Sequence, residues 1–148
     1  MEQFIVSARK YRPQTFSDMV GQSAAVSVLQ ESLKENKLGH AYLFSGPRGC
    51  GKTSAARLVA KSLNCQNLSS DYESCGECSS CIGIALGEHL DVIEIDGASN
   101  RGIGEIRDLK SHVNLKPLSA PYKVYIIDEV HMLTEPAFNA LLKTLEEP

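Results

Sequence analysis

The chain has 148 residues, 43% of them hydrophobic, which suits one folded α/β domain and is short for two. Its formal net charge of −3 argues against a uniformly basic nucleic-acid-binding protein, although a local basic patch is compatible with that charge. The sequence has no apolar run near the ~20 residues of a membrane span and no secretory signal at its start, so we expect a cytoplasmic protein without membrane contact.

Helices and strands are predicted to alternate along the chain. After an irregular lead-in (residues 9–22), helical spacing of apolar residues predicts four helices, over residues 23–36, 52–63, 104–115 and 135–147. Ser23 is the predicted N-cap of the first helix, and Pro136 lies in the first turn of the last. Short apolar runs predict strands over residues 41–46, 91–96 and 122–129. The alternation predicts an α/β fold built on a parallel sheet with helices on both faces.

The segment "GPRGCGKT", Gly46 to Thr53, fits the phosphate-binding pattern G-x-x-x-x-G-K-[ST] between a predicted strand and a predicted helix. Its glycines allow backbone N–H groups to surround phosphate oxygens. Lys52 would reach the β- and γ-phosphates, and Thr53 would offer its hydroxyl to magnesium. We interpret Cys50 as a small filler, because no base is evident beside it. The predicted nucleotide-binding residues of this segment are Gly46, Pro47, Arg48, Gly49, Cys50, Gly51, Lys52, Thr53 and Ser54.

The predicted strand "VYIIDE" ends in an acidic pair, Asp128 and Glu129. Behind a phosphate loop, an aspartate in this place orders the magnesium shell. The adjacent glutamate can activate water for attack on the γ-phosphate. Small-molecule kinases of this class need no such glutamate, so the pair favours ATP hydrolysis. We therefore predict Lys52 and Glu129 as catalytic residues and Thr53 and Asp128 as magnesium ligands.

Four of the five cysteines fall in one polar insertion, residues 64–82. Cys65, Cys75, Cys78 and Cys81 suit a closed tetrahedral zinc site. The segment has few apolar residues to offset the ordering of its backbone, which costs roughly 1–2 kcal/mol per residue. A structural zinc contributes roughly 10–16 kcal/mol and can offset it. A redox CxxC pair, a flexible reduced loop and iron–sulfur ligation fit the same spacing.

Several blocks, taken together and in order, resemble a known family. "SARKYRPQTFSDMVGQ", "HAYLFSGPRGCGKTS", "CGECSSC", "VIEIDGASN", "KVYIIDEVHML" and "FNALLKTLEEP" are similar to those of the tau/gamma family of bacterial DNA polymerase III clamp loaders, which are AAA+ ATPases. The resemblance runs from about Ser7 to the last residue. It implies that residues 1–148 are the N-terminal part of a P-loop AAA+ nucleotide-binding domain, incomplete at the C-terminus, with the four-cysteine zinc module inserted at residues 64–82. The four-cysteine insertion discriminates most, since AAA+ ATPases in general lack it.

The resemblance implies further contacts. The family places the adenine base partly against the lead-in, so Tyr11, Arg12, Pro13 and Val20 become candidate adenine contacts. The segment "ASNRGIGEIRD" matches the part that faces primer-template DNA, which makes Arg101 and Arg107 candidate phosphate contacts. Solvated arginines on a helix explain these two residues equally well.

The family also implies a function: an ATP-hydrolysing motor subunit of DNA polymerase III, dependent on Mg²⁺ and carrying Zn²⁺. It would act with other clamp-loader subunits, the sliding clamp and primed DNA during replication. The family's polar sensor and trans-acting arginine lie beyond residue 148. An arginine finger contributes roughly 10³–10⁵ in rate, so these 148 residues alone should hydrolyse ATP very slowly. We also expect residues 41–45 to lack both partner strands of the family's sheet. A scaffold subunit without hydrolysis, another AAA+ remodeller and a small-molecule kinase are the alternatives.

Overall fold

A computed structural model describes residues 6–99 and 102–147 of the chain. The helices are Ser7–Lys10 (α1), Ser23–Lys34 (α2), Lys52–Asn64 (α3), Ser79–Leu86 (α4), Ile103–Val113 (α5) and Glu135–Glu146 (α6). The strands are Val92–Asp96 (β1) and Val124–Asp128 (β2), and single 3₁₀ turns span Phe16–Asp18 and Val130–Met132. The four predicted helices and two of the three predicted strands are confirmed.

Strands β1 and β2 pair in parallel, with Val92 opposite Val124 and Asp96 opposite Asp128. Parallel strands need a long crossover, and α5 lies within it. On one face of the sheet, Ile126 packs with Ala60 of α3 and Ile84 of α4. On the other face, Ile127 packs against the apolar residues that α5 and α6 share. The structure therefore confirms a mixed α/β fold with a small parallel sheet and helices on both of its faces.

The predicted strand at residues 41–46 is wrong for this structure. This segment has no strand assignment, and within the described residues the sheet consists of β1 and β2 alone. Leu43 is 83% exposed, although its apolar neighbours predicted a buried strand. A strand exists only where its backbone groups pair with a neighbour. Among the described residues, no strand pairs with this segment.

Three further corrections concern helices. The lead-in is not irregular throughout, because α1 extends into it as far as Lys10 and a 3₁₀ turn spans Phe16–Asp18. Phe16 is 1% exposed and fixes this turn in a core with Leu29 of α2 and Leu58 of α3. The N-cap of α2 is Gln22 and not Ser23, since the Gln22 carbonyl accepts the first helical hydrogen bond from Val26. Helix α4 begins in the last residues of the cysteine insertion and continues beyond it to Leu86, and sequence analysis placed no helix there.

Candidate nucleotide site and cysteine cluster

The glycine loop turns sharply into α3. Gly49 has a φ of +77° and Gly51 a φ of +96°, a region that residues with a Cβ rarely adopt. Gly51 is the N-cap of α3, so the helix begins directly at Lys52. The first amides of a helix lack helical partners, and the dipole is positive at that end. Together with the loop amides, the start of α3 offers a concave group of donors suited to phosphate oxygens.

The Lys52 ammonium lies against this loop. Its Nζ donates to the carbonyl oxygens of Gly46, at 2.7 Å, and Pro47, at 2.9 Å. Cys50 Sγ is 3.9 Å from Nζ and packs beside Gly46, where an added Cβ would lie 2.9 Å from the sulfur. Arg48 is exposed and Ser54 is partly buried. The loop thus holds the Lys52 ammonium at a position where phosphate oxygens could replace the Gly46 and Pro47 carbonyls as its hydrogen-bond acceptors.

The structure brings together two residues that are far apart in sequence. Thr53 Oγ1, in the first turn of α3, donates to Asp128 Oδ2, at the end of β2, over 2.9 Å. Both side chains are partly buried. A hydroxyl and a carboxylate are ligands that Mg²⁺ accepts in proteins, and they meet beside the phosphate loop. The arrangement can therefore hold magnesium.

Glu129 has an unusual backbone. Its φ of 51° and ψ of 44° lie in the left-handed region, which costs a residue with a side chain about 1–3 kcal/mol. The turn is fixed by the Glu129 amide, which donates to Asp128 Oδ1 over 3.0 Å. The Glu129 carboxylate lies 3.2 Å from His131 Nε2. Such conformations concentrate at functional sites, because the surrounding structure must hold them in place.

Gly97 was missed by sequence analysis and helps to hold this acidic turn. Its amide donates to the Asp128 carbonyl over 2.8 Å. A Cβ on Gly97 would lie 2.5 Å from the Glu129 carbonyl oxygen and 2.9 Å from that of Asp128. Only glycine allows the two strand ends to approach this closely. The sequence shows a glycine directly after β1, but its role is evident only once β1 is known to pair with β2.

The lead-in lies beside the phosphate loop. The Met19 methyl group would be 3.0 Å from a Cβ on Gly51, so the two segments are in contact. Of the predicted adenine contacts, Tyr11 is 76% exposed and Val20 is 93% exposed, while Arg12 and Pro13 are partly buried. Sequence analysis did not single out Met19. Its contact shows that a nucleotide in the loop would have the lead-in next to it.

The predicted DNA contacts are placed only in part. Arg107 lies on α5 and is exposed to solvent. Arg101 lies outside the described residues. The geometry of the described residues does not bring Arg107 into the nucleotide site, and its role in DNA contact stays a prediction.

The four cysteines of the insertion converge. The Sγ atoms of Cys65, Cys75, Cys78 and Cys81 all lie within 4.8 Å of one another, and all five cysteines of the chain are free thiols. Four sulfurs bound at about 2.3 Å to one zinc ion would be about 3.8 Å apart. The sulfurs are thus close to the spacing of a tetrahedral site, and the cluster can hold a metal ion.

Backbone amides point at these sulfurs. Cys75 Sγ accepts from Glu77 N over 3.5 Å and from Cys78 N over 3.3 Å, and Cys78 Sγ accepts from Cys81 N over 3.4 Å. The amides of Glu77 and Cys78 lower the pKa of Cys75. Burial raises the pKa of Cys78, but hydrogen bonds outweigh it and bring this pKa to about 6. Such donors favour thiolates, the form that binds metal.

The pKa values of the two remaining thiols, Cys65 and Cys81, are raised. Burial raises the pKa of Cys65, and burial also raises the pKa of Cys81 to about 12. Proximity of another thiolate adds to the shift of Cys81. Four negative charges this close together repel one another, and a divalent cation compensates them. The chemistry of the donor set therefore fits a metal ion better than four free thiols.

A glycine loop before a helix, with an acidic pair at the end of a parallel strand, is typical of P-loop nucleotide-binding proteins. A family model described as "DNA polymerase III, delta subunit" matches residues 21–148, and the chain belongs to that family.

Within the family, the chain is strongly similar to tau and gamma subunits. It is 59% identical over 140 residues to DNA polymerase III subunit tau of Bacillus subtilis, an alignment of 95% of this chain and 25% of the relative. It is 52% identical over 143 residues to subunit tau of Escherichia coli, covering 97% of this chain and 22% of the relative. It is 46% identical over 142 residues to subunit gamma/tau of Mycobacterium tuberculosis, an alignment that covers 95% of this chain and 24% of the relative. The chain thus spans about a quarter of the length of these relatives. Among the described residues, no helix is long and apolar enough to cross a membrane.

Proposed function

We propose that this chain is the nucleotide-binding part of an ATP-hydrolysing clamp-loader subunit of DNA polymerase III. The hydrogen bond between Thr53 and Asp128 carries the proposal, because it joins the phosphate loop to the acidic strand end in one site. The similarity to tau and gamma subunits supports the role in the polymerase complex.

Each residue of the site has a distinct task. The loop amides and the start of α3 bind the phosphates of ATP. Lys52 exchanges the Gly46 and Pro47 carbonyls for β- and γ-phosphate oxygens. Thr53 and Asp128 would hold magnesium, which would neutralise phosphate charge. Glu129, held by its left-handed backbone, accepts a proton from the attacking water. Tyr11, Arg12, Pro13 and Val20 line the base side of the site.

The cysteine cluster is proposed to bind one zinc ion in a structural role. Four thiolates leave no coordination position open for chemistry. The sulfurs lie in the insertion and contribute no group to the phosphate loop or to the acidic pair. Zinc would fix the insertion, which packs against the lead-in and α2 through Tyr72.

In the full assembly, the subunit would act with other clamp-loader subunits on the sliding clamp and primed DNA. Arg101 and Arg107 are proposed to meet DNA phosphates. ATP binding would hold the clamp open, and hydrolysis triggered by primed DNA would release it. The 148 residues alone would turn over ATP very slowly, because the trans-acting arginine is supplied elsewhere.

The test is ATP turnover by the full-length protein, reconstituted with the other subunits of the DNA polymerase III clamp loader. Turnover is measured with and without clamp plus primed DNA, beside a Glu129→Gln variant. We expect turnover to rise at least tenfold with both ligands and to vanish in the variant, a barrier change of ~1.4 kcal/mol or more for the stimulation. Turnover that is indifferent to clamp and primer would contradict the clamp-loader role. A full-length protein that does not bind ATP would contradict the proposal as a whole.

A further inference from the structure

We infer that Glu73, in the cysteine insertion, is a positioning residue for the nucleotide site: it fixes the lead-in beside the phosphate loop. The inference rests on the proposed binding of ATP. It assigns the insertion a part in nucleotide affinity as well as in stability.

The Glu73 carboxylate binds the lead-in across a long sequence separation. Its Oε2 accepts from Phe16 N over 2.8 Å, a contact 57 residues apart in sequence. Its Oε1 accepts from Ser17 N over 3.0 Å and from Ser17 Oγ over 2.9 Å. Gln30 Nε2 of α2 also donates to Oε1, over 3.4 Å, so the carboxylate receives four donors, three of them from two successive residues of the lead-in. Hydrogen bonds to a carboxylate are about twice as strong as neutral ones.

A second carboxylate, that of Asp18, also binds backbone amides of the lead-in. Asp18 Oδ2 accepts from Gln14 N over 3.1 Å and from Thr15 N over 3.0 Å. The amides of four successive residues, 14–17, therefore all donate to one of two carboxylates. Asp18 belongs to the lead-in and can only shape it locally. Glu73 belongs to the insertion and sets where the lead-in lies relative to the rest of the molecule.

The insertion in turn holds Glu73 firmly. Glu73 lies two residues before Cys75, whose amide donates to Cys65 Sγ over 3.3 Å. Its own amide donates to Ser69 Oγ over 3.1 Å, and its carbonyl accepts from Ser69 N. The Glu73 backbone is thus fixed from both sides within the insertion.

The lead-in connects the Glu73 carboxylate to the nucleotide site through its contacts with α3 and the phosphate loop. Phe16 is buried against α3, and Gln14 Oε1 accepts from Lys61 Nζ of α3 over 2.9 Å. Three residues after Phe16, Met19 contacts Gly51 of the phosphate loop. Residues 14–20 therefore run from the Glu73 carboxylate to the loop. The base contacts proposed for Tyr11, Arg12, Pro13 and Val20 flank this stretch.

Loss of the Glu73 carboxylate should weaken the contacts with the base of ATP and leave the contacts with its phosphates unchanged. Without the Glu73 carboxylate, the amides of Phe16 and Ser17 lose their acceptor, and the lead-in no longer has one position. The phosphate loop keeps its own contacts through Lys52, Thr53 and Asp128. Binding of ATP should weaken, whereas binding of a ligand that has phosphates and no base should not.

The experiment compares two ligands, ATP and inorganic tripolyphosphate, each with Mg²⁺, by equilibrium titration of the full-length protein. The variants are Glu73→Ala, Glu73→Gln, Glu77→Ala and Lys52→Ala. Glu77 is the matched control, an exposed carboxylate of the same insertion whose side chain has no hydrogen bond to the described residues. Zinc content of each variant is measured alongside.

We expect Glu73→Ala to raise the Kd of ATP about tenfold, or ~1.4 kcal/mol, and to change that of tripolyphosphate less than about twofold. Glu73→Gln keeps a neutral acceptor and should fall between Glu73→Ala and the unchanged protein. Glu77→Ala should bind both ligands normally, and Lys52→Ala should lose both. A Glu73→Ala variant that binds ATP as tightly as Glu77→Ala overturns the inference. One that loses both ligands equally, or loses its zinc, overturns it as well, since Glu73 would then act on the whole fold. Failure of the unchanged protein to bind either ligand would instead overturn the proposed function.

Discussion

The two ends of helix α3 carry two polar segments that are held in different ways. At its start, the phosphate loop is shaped by main-chain conformation, with Gly51 in the left-handed region as the N-cap. At its end, Cys65 opens a segment whose shape depends on four sulfur atoms that converge. In the proposed function, the loop would present backbone donors to a nucleotide that is exchanged. The cysteine segment would present thiolates to a metal ion that stays bound.

The difference predicts opposite responses to loss of a ligand. The loop is fixed by contacts within the chain, such as Met19 with Gly51 and Thr53 with Asp128, so it should keep its shape without nucleotide. The cysteine segment repels itself when its thiols ionise, and few apolar residues hold it. It should lose its shape without metal.

The largest expected effect is loss of the metal. We predict that Cys78→Ser in the full-length protein abolishes stoichiometric zinc binding, because a structural site contributes roughly 10–16 kcal/mol and depends on all four ligands. Hydrogen exchange of the Cys75 and Cys81 amides, followed by mass spectrometry of the peptides that contain them, should accelerate at least about 100-fold. The phosphate-loop peptides should change far less.

Cys50→Ser provides the matched control, since Cys50 lies in the phosphate loop and outside the cluster. It should bind zinc normally. A Cys78→Ser protein that keeps full zinc content and slow exchange would remove the contrast between the two ends of α3.

The second prediction concerns the strand that carries Asp128. Asp91 is 0% exposed and accepts from Leu118 N at 2.6 Å, Ser119 N at 2.7 Å and Ala120 N at 3.0 Å, just before β2. We predict that Asp91→Asn lowers the free energy of unfolding by about 3 kcal/mol, because an amide NH₂ would face these donors in a buried site. Urea unfolding measures the change, with exposed Asp71→Asn as control.

The same residue makes a prediction for pH. Burial raises the pKa of Asp91, but the hydrogen bonds from residues 118–120 outweigh it, and its pKa lies below the ordinary 3.8. A lowered pKa adds stability above the unfolded pKa, and that stability is lost as the pH falls through the folded pKa. The difference between unchanged protein and Asp91→Asn should therefore be constant at neutral pH and shrink below about pH 4. A difference that grows on acidification would contradict the assignment.

The third prediction tests the phosphate loop itself. Lys52→Ala should raise the Kd of ATP about 100-fold, or ~2.7 kcal/mol, because in the proposed site the Lys52 ammonium would contact the phosphates directly. Lys37→Ala is the control, since Lys37 pairs only with Glu35 at the surface among the described residues. Titration with a fluorescent ATP analogue measures both. Equal affinity of the two variants would show that the nucleotide binds elsewhere.

The smallest effect concerns the strand ends. Gly97→Ala would place a Cβ against the Asp128 and Glu129 carbonyls, so the acidic turn must shift, at a cost of about 1–3 kcal/mol. ATP turnover should fall more than ATP affinity, since Glu129 moves and the loop does not. Gly104→Ala in α5, where a Cβ would meet no atom within 4 Å, should leave both unchanged. A Gly97→Ala protein with normal turnover would argue against a tightly held Glu129.

Local patterns predicted much of this molecule. Helices α2, α3, α5 and α6 follow from apolar spacing, and the phosphate loop follows from a motif in which each residue has a backbone or charge requirement. The spacing of the cysteines likewise predicted that four sulfurs meet. These features depend on neighbours in sequence, so the sequence displays them directly.

Long-range contacts were not predictable in the same way. Residues 41–46 have the composition of a strand, but a strand requires a partner that composition does not specify. Gly97, Met19 and Glu73 gain their roles from residues 31 to 57 positions away in sequence. A glycine after a strand, a methionine in a turn and a glutamate in a polar insertion are common features, and only the fold distinguishes them.

We propose that ATP is bound and hydrolysed in one site, but that binding and hydrolysis depend on different residues of that site. The most direct test is single-turnover hydrolysis and ATP titration of Glu129→Gln in the assembled full-length protein. The account predicts an unchanged Kd, within about threefold, together with a hydrolysis rate reduced at least about 100-fold, since removal of a general base typically costs 10²–10⁴. Hydrolysis at the normal rate by Glu129→Gln would contradict it.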